Sequence, residues 1–440
     1  MKKLSTTTLI LTGIIIILAA GLIAVLIFTG NQEPPTRGVE PLVKIAALEP
    51  DSAQWGINFP NQYSTLLKTG TNNTRTSYGG SDPISKLEAD PRLVTLFAGY
   101  GFSKDYNEER GHMNSLTDVR ATLRVNDKTP GTCYSCKSSN NPGLWDQMGM
   151  AAFDKMPFAE LGTHIDEPIG CANCHEAETM RLVVTNPALA EALAAQGKDW
   201  TTFTRQEMRT VVCANCHVEY YFKGDGKYLT FPWENGTNID QIAQYYAESF
   251  ADGSFVKDWE HAQSGAPMIK IQHPEFEFFT ANSTHYNAGV ACADCHMPYT
   301  RDGAAKFSTH DVKSPLLNAE VACGACHTDV GYVTTRVKTI QDQVANTMSA
   351  TQNAIIAAIT TIEAAAALPG VNADLLTEAR MLHRESQIYW DFIAAENSMG
   401  FHNPEEALRI LANATDLARQ AQLKAVEAAG SSEVLQTNGQ

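Results

Sequence analysis

Twenty consecutive positions near the start, 9 to 28 (LILTGIIIILAAGLIAVLIF), carry no charge. About 20 such residues span a bilayer core as a helix. Lys2 and Lys3 precede the run, so the positive-inside bias predicts a cytoplasmic N-terminus and an exported remainder. The run exceeds the roughly 7–15 apolar residues of a cleaved signal peptide, and Phe28-Thr29-Gly30-Asn31 makes a poor cleavage site. Residues 1–30 are therefore expected to be an uncleaved anchor, with a cleaved signal as the alternative. Either reading puts the bulk of the chain on the periplasmic or extracytoplasmic face. Residues 31–40, containing Asn31 to Arg37 (NQEPPTR), read as a polar linker.

Past the linker, few stretches alternate as strands do. Lys227-Tyr-Leu-Thr-Phe-Pro-Trp233 is the clearest, and Pro232 limits it to a sheet edge. The C-terminal part is patterned as helix. One helix is predicted from about Arg336 to Ala367, stopped by Pro369-Gly370, and a second over Ala373 to Glu396. A third has Asn403 as N-cap, Pro404 at the first helical position and Glu405 and Glu406 in the first turn, and runs to about Ala429. The expected organisation is mainly α: a core over 41–335 with short irregular segments, long helices over 336–430 packed on it, and a polar tail over 431–440.

With 440 residues, 44% hydrophobic and 19% charged, the chain can bury a large core, which excludes disorder and a disulfide-stapled miniprotein. A formal charge of −16 argues against a nucleic-acid partner. The cysteines change the picture most. All ten fall into Cys-x-x-Cys pairs: Cys133/Cys136, Cys171/Cys174, Cys213/Cys216, Cys292/Cys295 and Cys323/Cys326. Four pairs are followed at once by histidine, namely His175, His217, His296 and His327. Cys-x-x-Cys-His is the attachment signature of c-type haem, in which two thiols bond the macrocycle and the next side chain reaches the iron. Zinc ribbons take such pairs in twos, and five pairs do not divide that way. A disulfide scaffold gives no reason for histidine after four of them.

The fifth pair, Cys133-Tyr-Ser-Cys-Lys137, has lysine where histidine stands elsewhere. It reads either as a decayed site, or one whose axial histidine comes from elsewhere, or as a special haem with the Lys137 amine on the iron. Of the twelve histidines, eight are not proximal: His112, His164, His261, His273, His285, His310, His383 and His402. That supply can fill four distal positions.

With these residues assembled, the chain resembles the pentahaem cytochrome c nitrite reductases, the ammonia-forming family. Cys133-Tyr-Ser-Cys-Lys137 resembles the family's lysine-ligated catalytic haem site. Cys213-Ala-Asn-Cys-His-Val-Glu-Tyr-Tyr-Phe222 resembles its third haem site running into the calcium and active-site segment. Lys270-Ile-Gln-His-Pro-Glu275 resembles the segment with the catalytic histidine. Arg110-Gly-His112, Thr117-Asp-Val-Arg-Ala-Thr-Leu-Arg124 and Pro404-Glu-Glu406 after His402 are similar to family stretches in the same order.

The resemblance implies five covalently bound haem c groups, with Lys137 proximal to the catalytic one and Arg124, Tyr220 and His273 around its open face. Arg120, four residues before Arg124, is a competing assignment. It further implies one calcium ion held by Glu219, the carbonyls of Tyr220 and Lys270, and the Gln272 side chain. Distal ligands would be His112 for the third haem, His285 for the fifth, His310 for the second and His402 for the fourth. His164, His261 and His383 are left without a metal role. The family also implies a homodimer through the long helices, a membrane quinol-oxidising multihaem cytochrome as electron donor, and hydroxylamine and sulfite as side substrates of a nitrite reductase.

The chemistry is consistent with these residue types. Nitrite to ammonium takes six electrons at one site, which a chain of closed haems can feed to one open iron. An anionic substrate approaching a chain of charge −16 needs local positive charge, which Arg124 and a calcium ion would supply. His273 suits proton delivery, and Tyr220 suits either proton donation or holding intermediates. Taken singly, Glu219 reads as a solvated acid, Tyr220 as amphipathic packing, and 270–275 as a plain loop. An electron-transfer cytochrome would instead have histidine at position 137, or an unused distal histidine closing that iron. A multihaem reductase acting mainly on hydroxylamine or sulfite is the third alternative.

Overall fold

The computed structural model describes residue 21 and residues 41–439 apart from 109, with side chains to 435. Gly21 apart, the anchor expected over 9–28 and the linker over 31–40 lie outside the described residues. Among those described, no helix is long and apolar enough to cross a membrane. Residues 45–440 form one compact unit.

Among the described residues four helices have fourteen residues or more, and each has an identifiable start. Helix α1, Ile239–Asp252, opens on a capping box in which Asn238 and Gln241 exchange hydrogen bonds, and ends at Gly253 in the left-handed region. Helix α2, Val330–Ala366, begins six residues before the expected Arg336, because the Asp329 side chain accepts from the Tyr332 N–H. Helix α3, Ala373–Ala395, is capped by Asn372, which accepts from Asp374 and Leu375. Helix α4, Pro404–Ala429, has the expected Pro404 and the Glu405/Glu406 first turn. Asn403 does occupy its N-cap position, but the side chain makes no cap bond. Its amide donates to the carbonyls of Phe278 (3.4 Å) and Ala281 (2.7 Å), tying the helix start to the haem-bearing region.

Helices α2, α3 and α4 pack on one another. The seam on α4 is built of small residues, with Ala407, Ala414, Ala418, Ala421 and Ala425 fully buried, so backbones approach closely. Polar bonds cross the seam as well, among them Ser386 Oγ to Ala414 O at 2.7 Å and Thr351 Oγ1 with Thr415 Oγ1 at 2.8 Å. The outer side of the bundle joins α1 and the aromatic cluster of Phe97, Trp259 and Trp390 in the largest apolar core. The polar tail expected at 431–440 is a 3-10 helix over Ser432–Gly439, with Val434 packed on the far end of the bundle.

The remainder, 45–329, consists of short helices, single 3-10 turns and four two-stranded antiparallel hairpins. The strand expected over 227–233 is Tyr228–Thr230, paired with Tyr221–Lys223, and Pro232 lies beyond it. This region has its own core, in which Tyr134, Trp145, Phe153, Leu189 and Trp233 are buried. Sparse regular structure leaves its backbone free to turn around large groups.

Candidate active site

None of the ten cysteines is in a disulfide. The N–H of His175, His217 and His327 each donates to the carbonyl of its own motif's first cysteine at 2.9 Å, and Cys292–His296 forms a short helix. One turn thus carries both sulfurs and the imidazole that follows. Lys137 breaks the pattern. Its N–H donates to Tyr134, three residues back, at 2.9 Å, so this turn is tighter. Gly131 starts that turn because any Cβ there would meet the Phe153 carbonyl at 2.4 Å.

Each of the four motif histidines faces a second histidine from a distant part of the chain. Ring centres are 6.3 Å apart for His175 and His310, 6.5 Å for His217 and His112, 6.2 Å for His296 and His402, and 6.4 Å for His327 and His285. Two imidazoles sharing one metal at roughly 2.0–2.1 Å per nitrogen put their ring centres about 6–6.5 Å apart. The spacing therefore fits an iron between each pair. Burial pushes His112, His296 and His310 down to about 4, which keeps their imidazoles neutral and able to ligate.

The Nδ1 edges have other partners: His175 with Met180 O (2.9 Å), His310 with Ser308 O (3.0 Å) and His296 with Lys313 O (3.1 Å). His402 Nδ1 lies 3.3 Å from Glu396 Oε2, and His217 Nδ1 lies 3.7 Å from Glu275 Oε2. Each of these rings thus keeps Nε2 for a metal. His217 is also 6.5 Å from His273, but both turn Nδ1 toward Glu275, whose Oε1 is 3.9 Å from His273. That leaves the Nε2 edge of His217 as the one that could reach an iron shared with His112.

Four histidines remain for the Lys137 turn. His261 and His383 engage each other instead: their ring centres are 5.2 Å apart, and Ser264, Gln387 and the Thr95 carbonyl complete a buried network. His164 is exposed at the end of a 3-10 turn. Around the Lys137 turn stand Arg124 and Tyr220. The Arg124 guanidinium lies 4.0 Å over the Phe102 ring, and its Nε donates to Thr122 Oγ1 at 3.0 Å. Burial pushes the Tyr220 phenol well up, with Cys136, Cys133 and Glu219 adding to the rise and Arg124 opposing it, which places all four within electrostatic reach. Arg120 is committed elsewhere, donating to the carbonyls of Gly162 (3.1 Å) and Ile165 (2.7 Å) and to Tyr134 Oη (3.3 Å).

Beside Tyr220, Glu219 is fully buried. Its two oxygens accept from Tyr246 Oη and the Gln272 N–H, each at 2.6 Å. Burial holds its carboxyl well above the usual range. The Gln272 amide meets the Lys270 carbonyl at 3.0 Å. No three His, Cys, Asp or Glu side chains converge on one point among the described residues. A cation here would therefore rely on carbonyl and amide oxygens around one carboxylate, a donor set that suits a hard ion such as calcium. Turning the Gln272 amide about would present its oxygen.

A profile of the cytochrome c552 family matches residues 51–438. The chain belongs to the cytochrome c552 family. A cytochrome c-552 of Parabacteroides distasonis is 39% identical over 420 residues, covering 93% of this chain and 83% of the relative. One from Bacteroides fragilis is 40% identical over 390 residues, covering 87% and 78%. The solved catalytic subunit of a cytochrome c nitrite reductase from Desulfovibrio desulfuricans, described for its two calcium sites, is 36% identical with a TM-score of 0.85 over 90% of each chain. As a family member this cytochrome is a mainly helical multihaem c-type oxidoreductase.

Three residues with evident roles at the site carried no role in the sequence reading. Glu275 lay at the edge of a quoted motif, and Glu396 lies six residues before His402. Asp391 had no local signal. From α3 it accepts from Lys270 Nζ (3.0 Å) and the Ile271 N–H (3.0 Å), fixing the segment that carries Gln272 and His273.

Proposed function

We propose that this cytochrome reduces nitrite to ammonium at a haem c ligated by Lys137, fed by four haems with histidine on both faces. The observation that carries the reading is a contrast. In four attachment sites the following histidine faces a second one at 6.2–6.5 Å, and in the fifth Lys137 stands in its place. The axial pairs would be His175 with His310, His217 with His112, His296 with His402, and His327 with His285. Contacts between sites favour a continuous path: Cys136 meets Cys216, Cys213 meets Cys292, and Cys295 lies near Cys323. The Cys171/Cys174 site joins it where Asn215 Nδ2 donates to Asn173 O at 3.4 Å. Cys326 is exposed, so that end suits electron entry from a membrane quinol-oxidising cytochrome.

The overall change is nitrite plus six electrons and eight protons to ammonium and two waters. Haem, when bound, supplies the electrons and the open coordination position. The chain's own groups do the rest. Arg124, held flat by Phe102 and Thr122, directs paired N–H donors at the anion's oxygens. His273, with Nδ1 toward Glu275, holds and transfers its proton at Nε2. Tyr220 keeps its phenolic proton because burial disfavours the phenolate, so it serves as a hydrogen-bond donor. Glu219, the carbonyls of Tyr220 and Lys270, and the Gln272 side chain would hold calcium, whose charge adds to the positive field. The calcium sites of the Desulfovibrio desulfuricans enzyme support that part of the reading.

The test is product stoichiometry. Holoprotein with reduced viologen should convert nitrite to ammonium with six electrons consumed per nitrite. A fully haem-loaded preparation yielding no ammonium would refute the reading.

A further inference from the structure

With the haem at Cys213 and Cys216 taking His217 as axial ligand, as proposed above, we infer that Glu275 is a positioning residue shared by that haem and the active site. One carboxylate sets the potential of the haem next to the Lys137 site and fixes the ring of the proton-carrying His273.

The geometry is specific. Glu275 Oε2 lies 3.7 Å from His217 Nδ1 and Oε1 lies 3.9 Å from His273 Nδ1, so one charged group stands between two imidazoles. Both are charge contacts beyond hydrogen-bond length. The carboxylate is largely buried, with 13% of its side chain exposed, so solvent screens it little. It is also held in place. Asn397 Nδ2, from the turn after α3, donates to Oε1 at 2.7 Å. The Phe276 N–H donates to the His217 carbonyl at 3.1 Å, pinning the backbone beside Glu275 to the haem motif.

The other axial imidazoles make the feature stand out. His175, His310 and His296 offer Nδ1 to neutral carbonyls. Only His402, through Glu396, also faces a carboxylate among the Nδ1 contacts described here. A carboxylate on the far nitrogen raises the basicity of an iron-bound imidazole and stabilises the oxidised over the reduced metal. The haem at Cys213/Cys216 is therefore held at a lower potential than its axial ligands alone would give. It abuts the Lys137 site through the Cys136–Cys216 contact, where a stronger reductant increases the driving force of each electron delivered. The same carboxylate stands 3.9 Å from His273 Nδ1, and the proposed proton transfer is assigned to Nε2.

The test is a redox titration of holoprotein carrying Glu275→Gln, followed by absorbance and electron paramagnetic resonance. One of the five one-electron waves should move to more positive potential while four stay in place. In parallel, kcat for nitrite should fall at least tenfold with KM changed less than twofold. Glu275→Asp, which keeps the charge on a shorter arm, should shift the same wave by less, and it serves alone if the glutamine variant fails to load haem. Five unshifted waves in the variant that loads would overturn the inference. The titration does not depend on turnover. A shifted wave together with a parent protein that makes no ammonium would sink the nitrite reading and leave the haem-potential half of this inference standing, whereas unshifted waves in an active enzyme would do the reverse.

Discussion

At the residue scale, the site is a set of buried charges placed beside groups that need them. Asp154 shows the cost when such a group lacks a counter-charge. It packs behind the Lys137 turn, its backbone carbonyl accepting from Thr132 Oγ1 at 3.2 Å. Its Oδ2 accepts from the Leu229 N–H at 2.8 Å, and its Oδ1 is buried without a partner. Burial pushes its carboxyl up to about 7. The folded state thus holds the proton more tightly than the unfolded state, and stability falls as pH rises from about 4 to 7. Asp154→Asn cannot ionise and still accepts from Leu229. The variant should match the parent near pH 4 and exceed it above pH 7, by on the order of 2 kcal/mol, in guanidinium unfolding. Equal pH profiles for the two proteins would contradict this. Residues whose function is written in a fixed register were the legible ones: the cysteine pairs, the histidines that follow them and Lys137 stand out because attachment chemistry is local in sequence. Glu275, Glu396 and Asp391 were not legible, because a supporting carboxylate works at any sequence separation that folding brings together.

At the element scale, α3 does more than fill the bundle. Asp391 receives Lys270 Nζ and the Ile271 N–H, while Lys270 Nζ also lies 5.1–5.6 Å from the ring centres of Phe97, Phe102 and Tyr106. Phe102 is thus in contact with two cations, Lys270 and the Arg124 guanidinium. Removing one partner of a buried pair leaves the other uncompensated, which costs about 3–5 kcal/mol. Asp391→Ala should lower unfolding stability by that amount and slow nitrite turnover by loosening the Lys270–His273 segment. A loss below about 1 kcal/mol would show that Lys270 finds another partner. The three long helices were legible from their breakers and first turns, as Pro404 and Pro369-Gly370 illustrate. The start of α2 falls six residues before the expected one, where Asp329 caps it two residues after the last Cys-x-x-Cys-His motif. Apart from α1, the region 45–329 gave little pattern, since its helices and strands are short.

At the scale of the whole molecule, a chain of charge −16 handles an anion by concentrating cations at one place. Arg124, and a calcium ion beside Glu219, would supply that field where the other surfaces repel. In the proposed reading the arrangement of histidines gives the molecule its direction: four irons closed on both faces would conduct, and one left open would react. The most direct test of that account is to count the irons that accept an external ligand. Holoprotein titrated with cyanide or nitrite, and followed by electron paramagnetic resonance, should show one ligand-binding haem of five, with the other four unchanged as low-spin centres. No ligand-accessible haem, or more than one, would contradict it.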